Sequence, residues 1–299
     1  MHTSLVIMAA GLASRYGGNK QIAGMGPHGE ILLEYSVHDA IRAGFDRVVF
    51  IIRPDMEAAV RKLCGDRLSK KIEVLYAFQD FSSIPGWYAI PGDRVKPFGT
   101  VHAVLCAKDC VDGPFAVINA DDFYGADAFV RMHDFLVSGG PETDMAMVGY
   151  RLKNTVSLYG TVTRGLCAMN GGKLTDVDEV HDIRLYADGR IADTSAGEPG
   201  EALDGEALVS MNFWGFKPAV FPMMADYFDA FLKALPEGEL KGECLLPVMV
   251  DALIKRGAIS VTVLDTTATW FGVTYQEDRP RVQAALRELH EKGAYGKEL

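Results

Sequence analysis

The stretch that constrains this chain most lies near its start, where residues 4–21 read SLVIMAAGLASRYGGNKQ. Leu5 to Met8 is a short apolar run of branched and long side chains, the pattern of a strand buried on both faces of a parallel sheet. Ala9, Ala10, Gly11 and Ala13 follow, none with a side chain larger than a methyl. A loop this bare lets a ligand lie on the main chain, whose N–H groups bind anionic oxygens. Arg15 and Lys20 then supply two cations, with Gly17 and Gly18 between them. Strand, bare loop and cations together describe a phosphate site. The same letters also describe a tight turn with two solvated cations, and glycine-rich turns match by chance often. The rest of the chain has to decide.

A length of 299 residues fits one large α/β domain or two smaller ones, and 48% hydrophobic residues allow a sizeable core. The net charge of -10 argues against nucleic-acid and anionic-membrane partners, whose binding surfaces are basic. It does not argue against a nucleotide, because a few local cations and a divalent metal set the field in such a site. The five cysteines are odd in number and scattered, which excludes a disulfide framework or a paired-cysteine metal site. Cys106 and Cys110 share a helical spacing that reads as core packing. No basic segment precedes the first apolar run, and no apolar stretch reaches about 18 residues. The expectation is a cytoplasmic protein.

Along the chain, Glu30 to Ala43 has helical spacing with Gly44 at the C-cap, Arg47 to Ile52 is a buried strand, Asp55 to Cys64 a helix and Ile72 to Phe78 a third strand. Three βα units in succession predict a parallel sheet with right-handed crossovers. Residues 79–98 form a long loop, with Trp87 and Tyr88 read as its anchors to the core. Gly99 and Thr100 open a helix from Val101 to about Cys110, with Thr100 as its N-cap and His102 in a packing or capping role. Phe115 to Asn119 is the fourth strand, and Asp121 and Asp122 stand at its carboxyl end, where open α/β sheets bind ligands. Paired carboxylates facing a phosphate loop suggest a magnesium site. Neighbours on an extended chain point opposite ways, so one ligand is expected, Asp121. A helix at 126–138 and a strand from Asp144 to Tyr150 follow. Residues 159–216 then read as short antiparallel strands, interrupted by a mobile surface excursion at 186–206. Helices at 218–234 and 244–255, a strand from Ile259 to Leu264 and a helix from Pro280 to Lys292 close the chain.

Taken in order, the opening run with Arg15, Lys20 and Gln21, then Gln79, Gly99-Thr100, Asn119-Ala120-Asp121-Asp122, Tyr159-Gly160, Glu179, Asn212 and Glu243 resemble the sugar-phosphate nucleotidyltransferases, the family of glucose-1-phosphate uridylyl- and thymidylyltransferases. The motifs cover nearly the whole chain. The resemblance implies an α/β fold of Rossmann-like type: a mixed, mainly parallel sheet flanked by helices, with an antiparallel substrate-facing subregion. It implies a single domain over 1–299, with a nucleotide-binding half at 1–150 and a sugar-phosphate half with closing helices at 151–299. It further implies transfer of a nucleotidyl group from UTP, or else dTTP, to glucose 1-phosphate or a relative, with Mg2+ as cofactor. Ala9, Ala10, Gly11, Gln79, Gly99 and Thr100 would bind the nucleotide, and Gln79 would read a uracil or thymine edge. Arg15 would stabilise the leaving pyrophosphate and Lys20 would hold a reacting phosphate. Asp121 would hold the metal, and Glu179 and Asn212 the sugar. Nothing in the sequence specifies an oligomer.

Three departures stand out. The family's second metal-binding Asp sits in a W-x-D-x-G run, but Trp270-Phe271-Gly272 has glycine there, leaving Asp278 or the nucleotide as substitute. The sugar-site Glu is usually followed by a phosphate-binding Lys, whereas Glu179 is followed by Val180, with Arg184 the nearby cation. Ala13 replaces a usual Gly. The short spacing from Arg15 to Lys20 keeps a cytidylyltransferase acting on a non-sugar phosphate as an alternative, and the missing Asp keeps a non-catalytic sugar-nucleotide sensor.

Overall fold

The computed structural model describes residues 1–11, 24–273 and 275–299. Strands β1 (Ser4–Met8), β2 (Arg47–Ile52), β3 (Glu73–Phe78) and β4 (Phe115–Asn119) lie side by side in the order β4-β1-β2-β3, all parallel. Their register aligns Met8 with both Ile51 and Asn119, and Ile52 with Phe78, so the carboxyl ends of all four finish at one edge.

Side chains alternate across this sheet. Leu5, Ile7, Val48, Phe50 and Ile118 pack into one core with helices α1 (Leu32–Ala43) and, after the short strand β5 (Asp122–Phe123), α3 (Ala126–Val137). Val6, Val49, Ile51 and Val117 pack into a second core with α2 (Thr100–Cys106) and the later helices α4 (Val220–Ala234) and α5 (Leu246–Lys255). Cover on both faces is why the strands read as continuous apolar runs.

Among the described residues one eleven-stranded sheet continues into the second half. Strand β6 (Asp144–Arg151) pairs with β11 (Leu208–Phe216), which runs antiparallel between β4 and β6 and also takes β7 (Val162–Asn170). β7 forms a long antiparallel ribbon with β8 (Lys173–Leu185), and β12 (Ser260–Asp265) lies parallel to β6. The antiparallel reading of 159–216 therefore holds.

Three local expectations change. The segment 186–206 carries strands β9 (Ile191–Asp193) and β10 (Glu201–Ala202), with Ile191 and Ala192 buried. Its polar composition hides this short apolar anchor, which pairs with the end of β8. Thr100 is not a cap of its own helix: Gly99 takes the N-cap position, and the Thr100 hydroxyl instead accepts the N–H of Leu246 (2.8 Å), at the start of α5. α2 ends at Cys106, so Cys106 and Cys110 part company. Cys110 packs against the second core, while Cys106 Sγ lies 3.5 Å from Ser83 Oγ.

The closing helix α6 (Arg279–Glu291) packs on α1 and β5 through Leu32, Tyr35, Phe123, Val282, Leu286 and Tyr295. Beneath this cluster Asp39 is 1% exposed, accepts the Tyr295 hydroxyl (2.8 Å), and among the described residues has no partner for Oδ1. Burial pushes its carboxyl up to about 7. A carboxyl raised in the folded state costs stability above its folded pKa, and the cost disappears as pH falls toward its ordinary value. The full cost at pH 8 is about 4 kcal/mol. Asp39→Asn keeps the Tyr295 bond but buries an amide whose desolvation takes back about 1–3 kcal/mol. The expected net gain is about 2 kcal/mol at pH 8, shrinking toward pH 4, and denaturant unfolding of both proteins at the two pH values measures it. Equal stability at pH 8 would contradict the assignment.

Candidate active site

The edge where β1 to β4 finish carries most of the residues singled out by sequence. Ala9 N–H donates to the Ile51 carbonyl (2.8 Å) and Gln79 N–H to the Ile52 carbonyl (2.8 Å), so both stand just beyond the sheet at the same level. Ala9 is buried, Ala10 half-buried and Gly11 exposed. Arg15 and Lys20 lie outside the described residues.

Gln79 is held tightly. Its Nε2 donates to the Gly99 carbonyl (3.1 Å) and faces Nδ1 of His102 (3.4 Å). His102 is buried, stacks on Phe228 at 5.4 Å between centroids, and is joined to Ser83 Oγ through Nε2 (2.8 Å). Burial lowers its pKa to about 4, so it stays neutral and its Nδ1 can accept. The packing role read for His102 is what the geometry displays. Both amide hydrogens of Gln79 thus face protein acceptors, leaving the amide oxygen as its group for a ligand. That differs from a Gln offering donor and acceptor together.

Beyond β4 a cavity of about 520 Å³ opens, lined by Asp121, Asp122, Arg164, Glu179 and Asn212 among others, with Met211, Pro247 and Val248 as apolar wall. Both aspartates line it. Ala120 and Asp121 form a turn between β4 and β5, so the alternation rule of an extended strand does not separate the two carboxylates. Asp122 is buried, and its Oδ2 accepts from Asn119 Nδ2 (2.9 Å) and from the Tyr124 hydroxyl (3.2 Å), which is shared with the Met211 carbonyl (3.0 Å). Burial first, then the charge of Asp121, pushes the Asp122 carboxyl up to about 7.

Two carboxylates that repel each other in a partly buried turn are a hard-oxygen donor pair suited to a divalent cation. Magnesium therefore fits the residues present. Gly272 of β13 (Phe271–Gly272) pairs directly with Asp122, and a Cβ there would lie 3.0 Å from Asp122 Oδ1 and 2.2 Å from the Trp270 ring. The space of a side chain at 272 is filled by Trp270, beside Oδ1 of Asp122. Asp278, the other carboxylate considered, accepts from Ser157 Oγ (2.9 Å) and from the Tyr275 N–H (3.0 Å) and is not among the residues lining this cavity.

Asn212 reaches the cavity through an irregularity. The register of β11 against β6 slips between Ser210 and Trp214, and Asn212 takes φ +60° within it. A bulge of this kind re-aims a side chain, and Asn tolerates the left-handed region better than branched residues. Its Oδ1 accepts from Trp214 Nε1 (3.1 Å), which leaves Nδ2 without a partner among the described residues. Glu179 stands on β8 opposite Gly165. Arg184, the cation read as nearest to it in sequence, pairs with Glu198 (3.2 Å) and does not line the cavity. Among the described residues the cation lining the cavity is Arg164, which sequence reasoning passed over. Its one signal is an arginine inside an otherwise uncharged strand, Val162-Thr163-Arg164-Gly165-Leu166.

The sequence profile of the nucleotidyl transferase family matches residues 6–271, most of the chain. The chain belongs to this family. Solved structures agree on the fold of this transferase. A UDP-glucose pyrophosphorylase complexed with UDP-glucose is 16% identical, with 98% of this chain and 100% of that one covered, at TM-score 0.57. The inositol-1-phosphate CTP transferase of T. maritima is 10% identical, with 95% and 96% covered, at 0.60. A protein described as a glucose-1-phosphate thymidylyltransferase of Bacillus anthracis is 14% identical, with 96% and 95% covered, at 0.60. Among curated proteins none matches the transferase in sequence. No helix among the described residues is long and apolar enough to cross a membrane.

Proposed function

We propose that the protein transfers a nucleotidyl group from UTP or dTTP to a sugar 1-phosphate, glucose 1-phosphate or a relative, releasing pyrophosphate and forming a nucleoside diphosphate sugar. The observation that carries this reading is the cavity of about 520 Å³, which joins two carboxylates at the end of β4 to neutral and acidic hydrogen-bonding groups, Asn212 and Glu179, on the antiparallel side. A carboxylate that accepts and an amide that donates suit the hydroxyls of a sugar. Two of the structural neighbours are named for UDP-glucose and glucose 1-phosphate.

In this reading the triphosphate lies along Ala9, Ala10 and Gly11, with Gln79 and Gly99 at the base end. An oxygen of the acceptor phosphate attacks the α-phosphorus, the bond from that phosphorus to the bridging oxygen breaks, and pyrophosphate leaves with the electron pair. The nucleophile is already an anion, so no general base is needed. A magnesium ion held by Asp121 and Asp122 would neutralise charge at the α-phosphate. Arg15 and Lys20 take the roles that the family resemblance implies, on the leaving pyrophosphate and a reacting phosphate. The remaining work is positioning and charge stabilisation.

A second reading draws on Gln79. With both amide hydrogens engaged, its oxygen can accept from the imide N–H of uracil or thymine, and equally from the amino group of cytosine. A CTP-dependent transfer to a non-sugar phosphate therefore stays the competitor. Pyrophosphate release with magnesium, measured across four nucleoside triphosphates and a panel of sugar and polyol phosphates, separates them. Release with UTP or dTTP and a sugar 1-phosphate is expected. Release with CTP and a non-sugar phosphate alone would move the assignment to the second reading. Binding of a sugar nucleotide without release from any pair would make the protein a sensor.

A further inference from the structure

Arg164 is an unneutralised cation in an acidic protein. It stands on β7 opposite Val180, and its guanidinium packs over the Trp270 ring, 5.2 Å from the centroid. Nε donates to the Thr155 carbonyl (3.2 Å), Nη2 to the same oxygen, and Nη1 to the Thr163 carbonyl (2.8 Å). A guanidinium has five N–H groups, so two remain after these three bonds. Among the described residues no carboxylate lies within ion-pair distance of it; the acidic groups that face it, Asp122 and Asp278, act from further away. Burial pulls its pKa down to about 10, which still leaves it charged at any working pH.

Holding a charged group out of water costs several kcal/mol unless an opposite charge offsets it. Here main-chain carbonyls fix the guanidinium in place without neutralising it, and Arg164 is among the residues that line the cavity. That is the arrangement of a preformed anion receptor. Planar paired donors match two oxygens of a phosphate monoester better than a point charge does. The position decides which phosphate. In the transfer reaction the acceptor phosphate is the group that must lie between the carboxylate turn at Asp121 and the sugar-facing residues, and Arg164 lines that cavity from β7, a strand of the antiparallel half.

We propose that Arg164 receives the phosphate of the acceptor substrate, making the cavity selective for phosphorylated over neutral acceptors. This rests on the transfer reaction above, with whichever nucleotide it uses. The test is steady-state kinetics of R164Q and R164K beside their thermal midpoints. R164Q is expected to raise KM for the acceptor phosphate roughly 10- to 100-fold, with KM for the nucleotide changed less than twofold. R164K, which keeps charge but loses the fork, should recover part of the loss. Loss of the carbonyl bonds alone would move both KM values together, and that result, or an unchanged acceptor KM, overturns the proposal. Should R164Q fail to fold, the same comparison is read from R164K. Calorimetric titration of the unmutated protein and the variants with glucose 1-phosphate and with glucose supplies a readout independent of turnover. If the unmutated protein releases no pyrophosphate from any pair yet binds the phosphorylated sugar through Arg164, the reaction is wrong and the receptor stands. Equal binding of both sugars removes the receptor.

Discussion

Alanine at Asp121 is expected to slow pyrophosphate release by about 10³-fold or more, a loss of about 4 kcal/mol of transition-state stabilisation, with the fold intact. Asp121 is half-buried in the turn after β4 and lines the cavity. Its removal also relieves the repulsion that helps to raise the pKa of Asp122. Asp122 differs. It accepts from Asn119 and Tyr124, so Asp122→Ala would leave the Asn119 amide without this acceptor and the Tyr124 hydroxyl with the Met211 carbonyl alone, and lower stability as well as rate. Kinetics at saturating magnesium, paired with thermal unfolding, distinguish the two variants. A rate for Asp121→Ala within tenfold of the unmutated enzyme would remove Asp121 from the role given to it.

Gly99→Ala should cost about 3 kcal/mol of stability or more. Gly99 has φ +90° and ψ −168°, a backbone region open essentially to glycine alone. A Cβ there would lie 2.6 Å from the Cys244 carbonyl oxygen and 2.8 Å from its nitrogen. Both obstacles are backbone, and that backbone is tied down: Cys244 N–H donates to the Phe98 carbonyl (2.8 Å), and Val101 N–H donates to the Cys244 carbonyl (3.0 Å). The start of α2 and the start of α5 are stitched together at this point, so neither moves aside without breaking bonds. The Gly99 carbonyl also orients Gln79. A raised nucleotide KM should therefore accompany the loss, even under conditions where the variant is folded. Urea unfolding reads the first effect and initial rates the second. A stability change below about 1 kcal/mol would contradict the reading of this glycine as obligatory.

Much of this architecture is legible in the sequence because its signals are local. The apolar run from Leu5 to Met8 needs a neighbour on both faces, Pro54 and Gly44 punctuate the elements around β2, and Asp121 and Asp122 fall at a strand's end by counting residues. What stayed illegible depends on pairing between distant segments. Nothing near Thr100 shows that its hydroxyl caps α5, and nothing near Gln79 shows that His102 and Gly99 take its amide hydrogens. Arg184 stands closer in sequence to Glu179 than Arg164 does, yet the ribbon of β7 and β8 sends Arg184 to Glu198 and Arg164 to the cavity.

The sequence by itself determined the α/β class, the parallel half with its ligand edge, and the order of motifs that marks a nucleotidyl transferase. The first two follow from periodicity and spacing within single elements, the third from the resemblance of short motifs spread along the chain. Only the tertiary structure decided the membership of the cavity among the described residues: that Asp122 joins Asp121, that Gly272 leaves room for Trp270 rather than a carboxylate, and that Arg164 brings a cation to it. Those outcomes turn on a chain turn, a strand register and a bulge. A shift of one residue in any of them sends a side chain to the opposite face.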